Sequence, residues 1–124
     1  MRFNGKVTRG KREGSKIGFQ TANISVNHNM QPGIYTGFAA LEENNQNVST
    51  DLKALFYIPE TNTSLVECHI LDFPKKDLYD IEMSVEILHK LRDVQEFTGL
   101  KAASEQIKKD ELKARQWFKN EANK

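Results

Sequence analysis

A glycine-rich, basic stretch near the start of the chain has the composition of a phosphate-binding loop. Glycine occurs at near-regular intervals, at Gly5, Gly10, Gly14 and Gly18. Because glycine has no side chain, its backbone N–H groups can approach an anion closely. Basic residues in the same stretch add positive charge; they are Lys11, Arg12 and Lys16. A glycine-rich turn between two strands has the same composition, so both interpretations remain open.

The residues that follow this stretch could hold a magnesium ion beside the phosphates. Thr21 offers a hydroxyl and Asn23 an amide carbonyl, and their spacing places both on one side of an extended segment. Magnesium favours hard oxygen donors together with phosphate and water. The stretch is not a P-loop, because Gly14-Ser15-Lys16 has the wrong order and no helix is expected behind it.

Glu67 and His69 are the second group of residues that could act on a substrate. They alternate along the chain with Val66, Cys68 and Ile70, so a strand here would place the two sets on opposite faces. A carboxylate held on a rigid strand can act as a general base toward a substrate hydroxyl. Glu and His on the outer face of a half-exposed strand can also be simply solvated.

Arg92 and Phe97 are the third group. Together they could hold an aromatic ligand by stacking and hydrogen bonding, although a surface arginine and a core phenylalanine are the ordinary alternative. Metal chemistry based on thiolates has no support, because Cys68 is the single cysteine and no Cys/His group has zinc spacing.

Short strands separated by turns would position these residues. Several segments are rich in β-branched and aromatic residues or alternate between apolar and polar residues. These candidate strands are Phe3–Thr8, Ile34–Leu41, Lys53–Ile58, Leu65–Leu71 and Ile81–Leu91. We expect a hairpin loop at Glu42–Asn47 and a turn near Pro59–Asn62. The pattern predicts a closed barrel or a sandwich.

The C-terminal part of the chain is predicted to be one helix. From Leu100 onward the residues are good helix formers, and Thr98 is a plausible N-cap. Apolar residues recur at helical spacing on one face, which we expect to pack on the barrel. These residues are Leu100, Ala103, Ile107, Ala114 and Trp117.

Length and charge limit the possible functions. A chain of 124 residues has the size of one domain. Its 18 basic and 17 acidic residues nearly cancel, which argues against a general nucleic-acid binder. No apolar run is long enough to span a bilayer, and no signal-peptide core follows Met1. We expect a soluble, cytoplasmic protein with small-molecule partners and with neither nucleic acid nor membrane as a partner.

Taken together, these motifs resemble the riboflavin kinase family. The pattern Gly5-x-Val7-x-x-Gly10-x-x-x-Gly14-x-x-Ile17-Gly18-Phe19-x-Thr21-Ala22-Asn23-Ile24 is similar to the family's stretch ending in Pro-Thr-Ala-Asn. Further segments follow in the family's order; they are Gly33-Ile34-Tyr35, Val66-Glu67-x-His69-Ile70-Leu71-Asp72-Phe73, Leu78-Tyr79, Leu91-Arg92, Phe97, Gln106-Ile107 and Asp110. The resemblance covers nearly the whole chain.

The resemblance implies a fold and an activity. The fold is a mainly β, small closed Greek-key β-barrel of about six strands with a C-terminal α-helix packed on it. One domain would span residues 1–124, with the barrel to about 97 and the helix at about 98–120. The activity transfers the γ-phosphoryl of ATP, with Mg²⁺, to the 5′-hydroxyl of riboflavin and gives FMN and ADP. Such modules occur alone or fused to an FAD synthetase domain.

The resemblance also implies roles for individual residues. Glu67 would be the catalytic base, Thr21 and Asn23 would bind the metal, and Arg92 and Phe97 would bind the flavin. The implied nucleotide-binding residues are Gly10, Gly14, Ser15, Lys16, Gly18, Thr21 and Asn23. Positioning and charge neutralisation supply most of the catalysis in phosphoryl transfer, so this sparse set is chemically sufficient.

Several positions depart from the family's pattern. Gln20 replaces the proline before Thr21, so the rigid φ of proline is lost. Asp80 stands where glycine usually follows Leu-Tyr, and Val94 stands where an acid is common. The family's Asn-Ile-Gly-x-x-Pro-Thr is not recognisable in 54–63. A catalytically impaired flavin- or nucleotide-binding module is therefore an alternative, and an oligonucleotide-binding barrel is a third hypothesis.

Overall fold

The computed structural model describes residues 1–8, 21–43, 46–60, 64–73 and 81–124. Within them the chain forms six strands and one helix. The strands are β1 (Arg2–Thr8), β2 (Ala22–Ser25), β3 (Gly33–Glu43), β4 (Gln46–Ile58), β5 (Leu65–Ile70) and β6 (Glu82–Arg92), and the helix is α1 (Leu100–Ala122). No helix in this part of the chain combines the length and the apolar character that crossing a membrane requires.

The strands close into a barrel in the order β1-β2-β5-β4-β3-β6, and every neighbouring pair is antiparallel. Strands β3, β4 and β5 are neighbours in sequence and in space, and β6 returns to lie beside β3. This is the Greek-key arrangement. The predicted closed six-stranded barrel with a C-terminal helix is therefore confirmed.

Two features of the strands differ from the expectation. The hairpin expected at Glu42–Asn47 is present between β3 and β4, but the pairs Glu42–Asn47 and Glu43–Gln46 belong to the strands, so the predicted loop is too long at both ends. Strand β2 was not among the candidate strands, because it is only four residues long and its Ala, Asn and Ser have low strand propensity.

The barrel interior is filled by the residues that alternate inward along each strand. Ile24, Phe56 and Val66 have no exposed surface, and they belong to one cluster with Met83 and Cys68. Burial raises the pKa of the Cys68 thiol, so this cysteine is a core residue rather than a nucleophile.

Helix α1 packs on the outside of the barrel. Ala114 and Phe118 are buried there and form a second cluster with Ile34, Leu55 and Leu71. Removing this apolar surface from water is the main force that holds the helix in place.

Most of the predicted face of α1 is turned toward the barrel: Ala114 is buried, Trp117 packs against the second cluster, and Ala103 and Ile107 are half-buried. The buried residues of the helix are Asp110, Ala114 and Phe118, whereas Leu100 is 58% exposed. The prediction chose Leu100 for its apolar character, but the first turn of the helix does not reach the second cluster. The N-cap is Gly99, with no side-chain hydrogen bond, so the prediction of Thr98 as N-cap is also wrong.

Strands β3 and β6 approach each other closely at Gly37. A Cβ atom on Gly37 would lie 1.9 Å from the backbone oxygen of Glu86 on β6, so Gly37→Ser should lower the free energy of unfolding by about 1–3 kcal/mol or more. The same change at Gly99, where a Cβ would meet nothing within 4 Å, should be neutral or slightly stabilising, since serine is a favoured N-cap. Urea unfolding of both variants measures the difference, and equal stabilities would contradict the close approach.

Candidate active site

One residue from each strand contributes to a continuous row across the outer face of the barrel. Directly paired residues point to the same side of a sheet, and their Cβ atoms are about 4.5–5.5 Å apart. In spatial order this transverse row consists of Thr8, Asn23, Glu67, Tyr57, Ile34 and Arg92. Three residues predicted for the site, one each on β2, β5 and β6, therefore share one face.

Asn23 lies near one end of the transverse row. It is 8% exposed, and its side-chain oxygen Oδ1 is buried without a hydrogen-bond partner among the described residues. Thr8 donates from Oγ1 to the Asn23 backbone oxygen over 3.3 Å. Thr21 is half-buried two residues before Asn23. A buried neutral oxygen that lacks a donor is a suitable ligand for a hard cation such as magnesium.

The predicted phosphate-binding loop cannot be placed in this geometry. The residues Gly10, Gly14, Ser15, Lys16 and Gly18 lie outside the described residues. The same holds for the departures from the family's pattern at Gln20 and Asp80, whereas Val94 is described and half-buried. Their assignments stay predictions.

Glu67 occupies the middle of the transverse row, between Asn23 on β2 and Tyr57 on β4. The burial pattern of β5 alternates, with Val66, Cys68 and Ile70 buried and Glu67 half-buried. The expected separation of the two faces of this strand is confirmed. Because its backbone is hydrogen-bonded on both sides, Glu67 is held at a fixed place on a rigid element.

Tyr57 was not predicted for the site. Its hydroxyl is buried and has no hydrogen-bond partner among the described residues. Burial raises the pKa of the Tyr57 phenol above its ordinary value, and the nearby carboxylate of Asp110 raises it further. The phenol is therefore neutral at physiological pH and can donate a hydrogen bond. Its position beside Glu67 follows from the register of β4 and β5, which the sequence pattern alone does not determine.

Arg92 ends the transverse row and binds helix α1. It donates from Nε to Oδ1 of Asp110 and from Nη2 to Oδ2, each over 2.8 Å. Gln106 adds a third hydrogen bond of 3.1 Å to Asp110, which is fully buried. Arg92 also donates from Nη1 to the backbone oxygen of Asp93 over 2.9 Å. Several of its N–H groups are therefore used inside the protein.

Phe97 lies beside Arg92. The guanidinium carbon of Arg92 is 5.9 Å from the centre of the Phe97 ring, which is within the range of a cation–π contact. The structure thus brings together the two residues predicted to bind an aromatic ligand. Their role toward a ligand stays a prediction.

A hydrogen-bonding contact of His69 and an ion pair of Arg115 fasten helix α1 to the end of β5. Nε2 of His69 lies 2.9 Å from Oε1 of Glu111, and Arg115 donates to both carboxylate oxygens of Asp72 over 2.8 and 2.9 Å. Arg115 holds the pKa of the Asp72 carboxyl below its ordinary value. His69 therefore interacts with the helix, and Glu67 is left as the candidate base.

A buried histidine and an open groove lie away from the transverse row. His28 is buried, with Nε2 3.1 Å from the Leu65 backbone oxygen and Nδ1 accepting from the Met30 amide. An open groove of about 480 Å³ is lined by residues that include Arg2, Asp51 and Glu86, and none of its lining residues belongs to the row. Across the described residues no group of three His, Cys, Asp or Glu side chains could hold a metal.

The family of the chain follows from comparison with known proteins. The family model for riboflavin kinase (flavokinase) matches residues 1–118. The chain belongs to the riboflavin kinase family. This confirms the resemblance stated from the motifs, and the match includes both the barrel and most of α1.

Individual members of the riboflavin kinase family give the extent of the similarity. The chain is 30% identical over 123 residues to the bifunctional riboflavin kinase/FMN adenylyltransferase of Bacillus subtilis, covering 95% of this chain and 39% of that protein. It is 31% identical over 110 residues to the RNA-binding riboflavin kinase RibR of the same organism, covering 86% and 46%. The chain thus spans less than half the length of these curated relatives.

A solved structure supports the fold. Riboflavin kinase from Trypanosoma brucei superposes with a TM-score of 0.75 and 21% sequence identity, covering 95% of this chain and 76% of that one. At this identity the comparison shows that both proteins share the barrel and the helix packed on it.

The Arg92–Asp110 pair is expected to determine how α1 docks beside the row. Asp110→Asn removes the charge but keeps the size, and it leaves the Arg92 guanidinium without its buried counter-charge. Removing one partner of a buried pair typically costs about 3–5 kcal/mol. Asp72→Asn makes the same change in a pair whose aspartate is 75% exposed, and such pairs contribute little. Thermal unfolding should separate the two variants, and equal melting temperatures would contradict the role of Asp110.

Proposed function

We propose that this chain transfers the γ-phosphoryl group of ATP to the 5′-hydroxyl of riboflavin. The observation that carries the proposal is the order of side chains along the transverse row. Asn23 is followed by Glu67, and Arg92 with its neighbour Phe97 lies at the far end. Phosphate, reacting hydroxyl and flavin ring would be bound in the same order.

Glu67 is suited to receive the proton of the reacting hydroxyl. It is the cross-strand neighbour of Asn23, so its carboxylate lies within about one side chain of the proposed phosphate site. A hydroxyl positioned between them would face the carboxylate on one side and the γ-phosphoryl group on the other. In-line transfer depends mainly on such positioning.

Thr21 and Asn23 fit a magnesium ion that arrives with ATP. The Asn23 oxygen Oδ1 is buried and has no donor among the described residues, and the Thr21 hydroxyl lies two residues away in the chain. When bound, magnesium neutralises negative charge on the nucleotide phosphates. The protein supplies neutral oxygens, so most of the ion's charge is balanced by the phosphates themselves.

Arg92 and Phe97 would bind the isoalloxazine ring of the flavin. Hydrogen bonds to the Asp110 carboxylate and the Asp93 backbone oxygen fix the position of the Arg92 guanidinium. Its contact with the Phe97 ring leads us to infer that the two side chains together offer a flat cationic surface. Stacking on such a surface suits a planar aromatic ligand.

The context of the reaction follows from its substrates and from the relatives. ATP–magnesium and riboflavin as substrates fit a cytoplasmic protein. The Bacillus subtilis relative is named as a kinase and an FMN adenylyltransferase, and we infer that the FMN made by this chain passes to an adenylyltransferase. Residues 1–124 would act as one catalytic unit.

Glu67→Gln tests the general base. The variant keeps the shape of the side chain but cannot accept the proton, so turnover should fall on the order of 10²-fold or more, while ATP–magnesium binding is retained. Chromatographic separation of riboflavin and FMN measures the rate. Glu82→Gln makes the same change at an exposed position of β6 and should leave the rate unaltered. Normal turnover by Glu67→Gln would exclude this base.

Asn23→Leu tests the proposed magnesium ligand. The change removes a buried oxygen that has no donor among the described residues, so stability should change by no more than about 1 kcal/mol. The affinity for ATP–magnesium should fall about tenfold or more, since a metal ligand is lost. Calorimetric titration with and without magnesium measures it. Asn27→Leu, at an exposed position, should bind like the unaltered protein, and unchanged affinity in Asn23→Leu would exclude the ligand role.

A further inference from the structure

The Tyr57 hydroxyl is a buried donor that the reaction as described does not use. It has no hydrogen-bond partner among the described residues. A buried donor without an acceptor destabilises a folded protein, and such a group in a native structure calls for an explanation. Binding of a ligand that carries an acceptor is one explanation, and the position of Tyr57 indicates which part of a ligand would be near.

Tyr57 lies between the two ends of the proposed flavin site. It is the direct cross-strand neighbour of Glu67 on one side and of Ile34 on the other, and Ile34 pairs with Arg92. Ile34 is buried beneath helix α1 and Tyr57 packs against the same cluster, so a substrate whose hydroxyl reaches Glu67 and whose ring reaches Arg92 and Phe97 would have to follow the edge of the helix. Such a substrate would pass close to Tyr57. In riboflavin the group that joins the ring to the terminal hydroxyl is the polyhydroxylated ribityl chain.

Acceptors within the protein are already engaged near Tyr57. The carboxylate of Asp110 accepts hydrogen bonds at Oδ1 from Arg92 and Gln106 and at Oδ2 from Arg92. Glu111 lies 2.9 Å from His69. These contacts reduce the capacity of both carboxylates to accept from the phenol as well.

Because the Tyr57 hydroxyl is buried, we infer that a ligand reaches it through movement of the neighbouring side chains. Glu67 is half-buried, and the side chain of Glu111 is 21% exposed, so both neighbours reach the surface of the molecule. Changes of rotamer at a binding site are common, whereas backbone displacement is less so. The phenol therefore lies where helix α1 meets the barrel and not within the barrel core.

We propose that the Tyr57 hydroxyl donates a hydrogen bond to the ribityl chain of the flavin substrate. Tyr57 would then be a specificity-determining residue that favours a flavin with a hydroxylated chain over one without it. The inference rests on the proposed function, because it takes the order of the reacting groups along the transverse row from it.

The test compares Tyr57→Phe with the unaltered protein for two ligands, riboflavin and lumiflavin, which has the same ring system without the ribityl chain. Quenching of flavin fluorescence measures both affinities without requiring turnover. Tyr57→Phe should weaken riboflavin binding about tenfold, the scale of one lost hydrogen bond. It should leave lumiflavin binding unchanged and should not lower the melting temperature, because the hydroxyl has no partner among the described residues of the free protein.

Tyr35→Phe is the matched control. The Tyr35 hydroxyl donates to the Gln31 backbone oxygen over 2.8 Å, and Tyr35 belongs to the barrel core. Its removal should lower the melting temperature and leave the ratio of the two flavin affinities unchanged. Loss of a structural hydroxyl, as in Tyr35→Phe, should therefore change the melting temperature and not the ratio of affinities. Loss of a ligand-binding hydroxyl, as proposed for Tyr57→Phe, should change the ratio of affinities without lowering the melting temperature.

The remaining outcomes each decide against the inference. Equal riboflavin affinity in Tyr57→Phe and in the unaltered protein would exclude the contact. An equal loss for both ligands would assign the hydroxyl to the ring instead of the chain. A lower melting temperature with unchanged affinity would show a structural bond. If the unaltered protein neither binds riboflavin nor forms FMN, the proposed function itself fails, and this result is distinct from the others.

Discussion

Closure of the barrel with a fixed register is the constraint on which the rest of the structure depends. Each strand is hydrogen-bonded on both sides, so no strand can slide without its neighbours. The inward residues form the core, and the outward ones form rows that run around the barrel. Asn23, Glu67 and Arg92 are distant in sequence and share one face because of this closure.

Helix α1 completes this face through a combination of apolar packing and charge. Phe118 and Ala114 supply the buried apolar surface, which has no directional preference of its own. The bidentate pair between Arg92 and Asp110 adds direction, because two parallel hydrogen bonds allow one geometry only. The same pair fixes Arg92 beside Phe97, so the docking of the helix and the shape of the site are linked.

The sequence predicts the fold and names three residues that the structure places on one face of the candidate site, because motifs and the spacing of apolar residues are local signals. The alternation around Glu67 identifies its strand and its face, and the apolar spacing after Leu100 identifies a helix. The spacing also identifies most of the buried helical face, but where that face begins depends on the partner surface, so Leu100 was wrongly included. The buried position of Asp110 could not be read from apolar spacing, because it is a charged residue. Tyr57 could not be found, because its relation to Glu67 is set by the register between β4 and β5. That register arises from long-range pairing, which a single sequence does not reveal.

A row that takes one residue from every strand has a consequence for the way the candidate site is lost. No single strand or hairpin of this barrel carries the site, so a fragment would not retain a reduced form of it. Opening of any of the five strand pairs that the row crosses separates two of its members. Loss of the site should therefore coincide with loss of the whole barrel rather than with a local fraying event. The integrity of the transverse row and the cooperativity of folding are in this sense one property of the molecule.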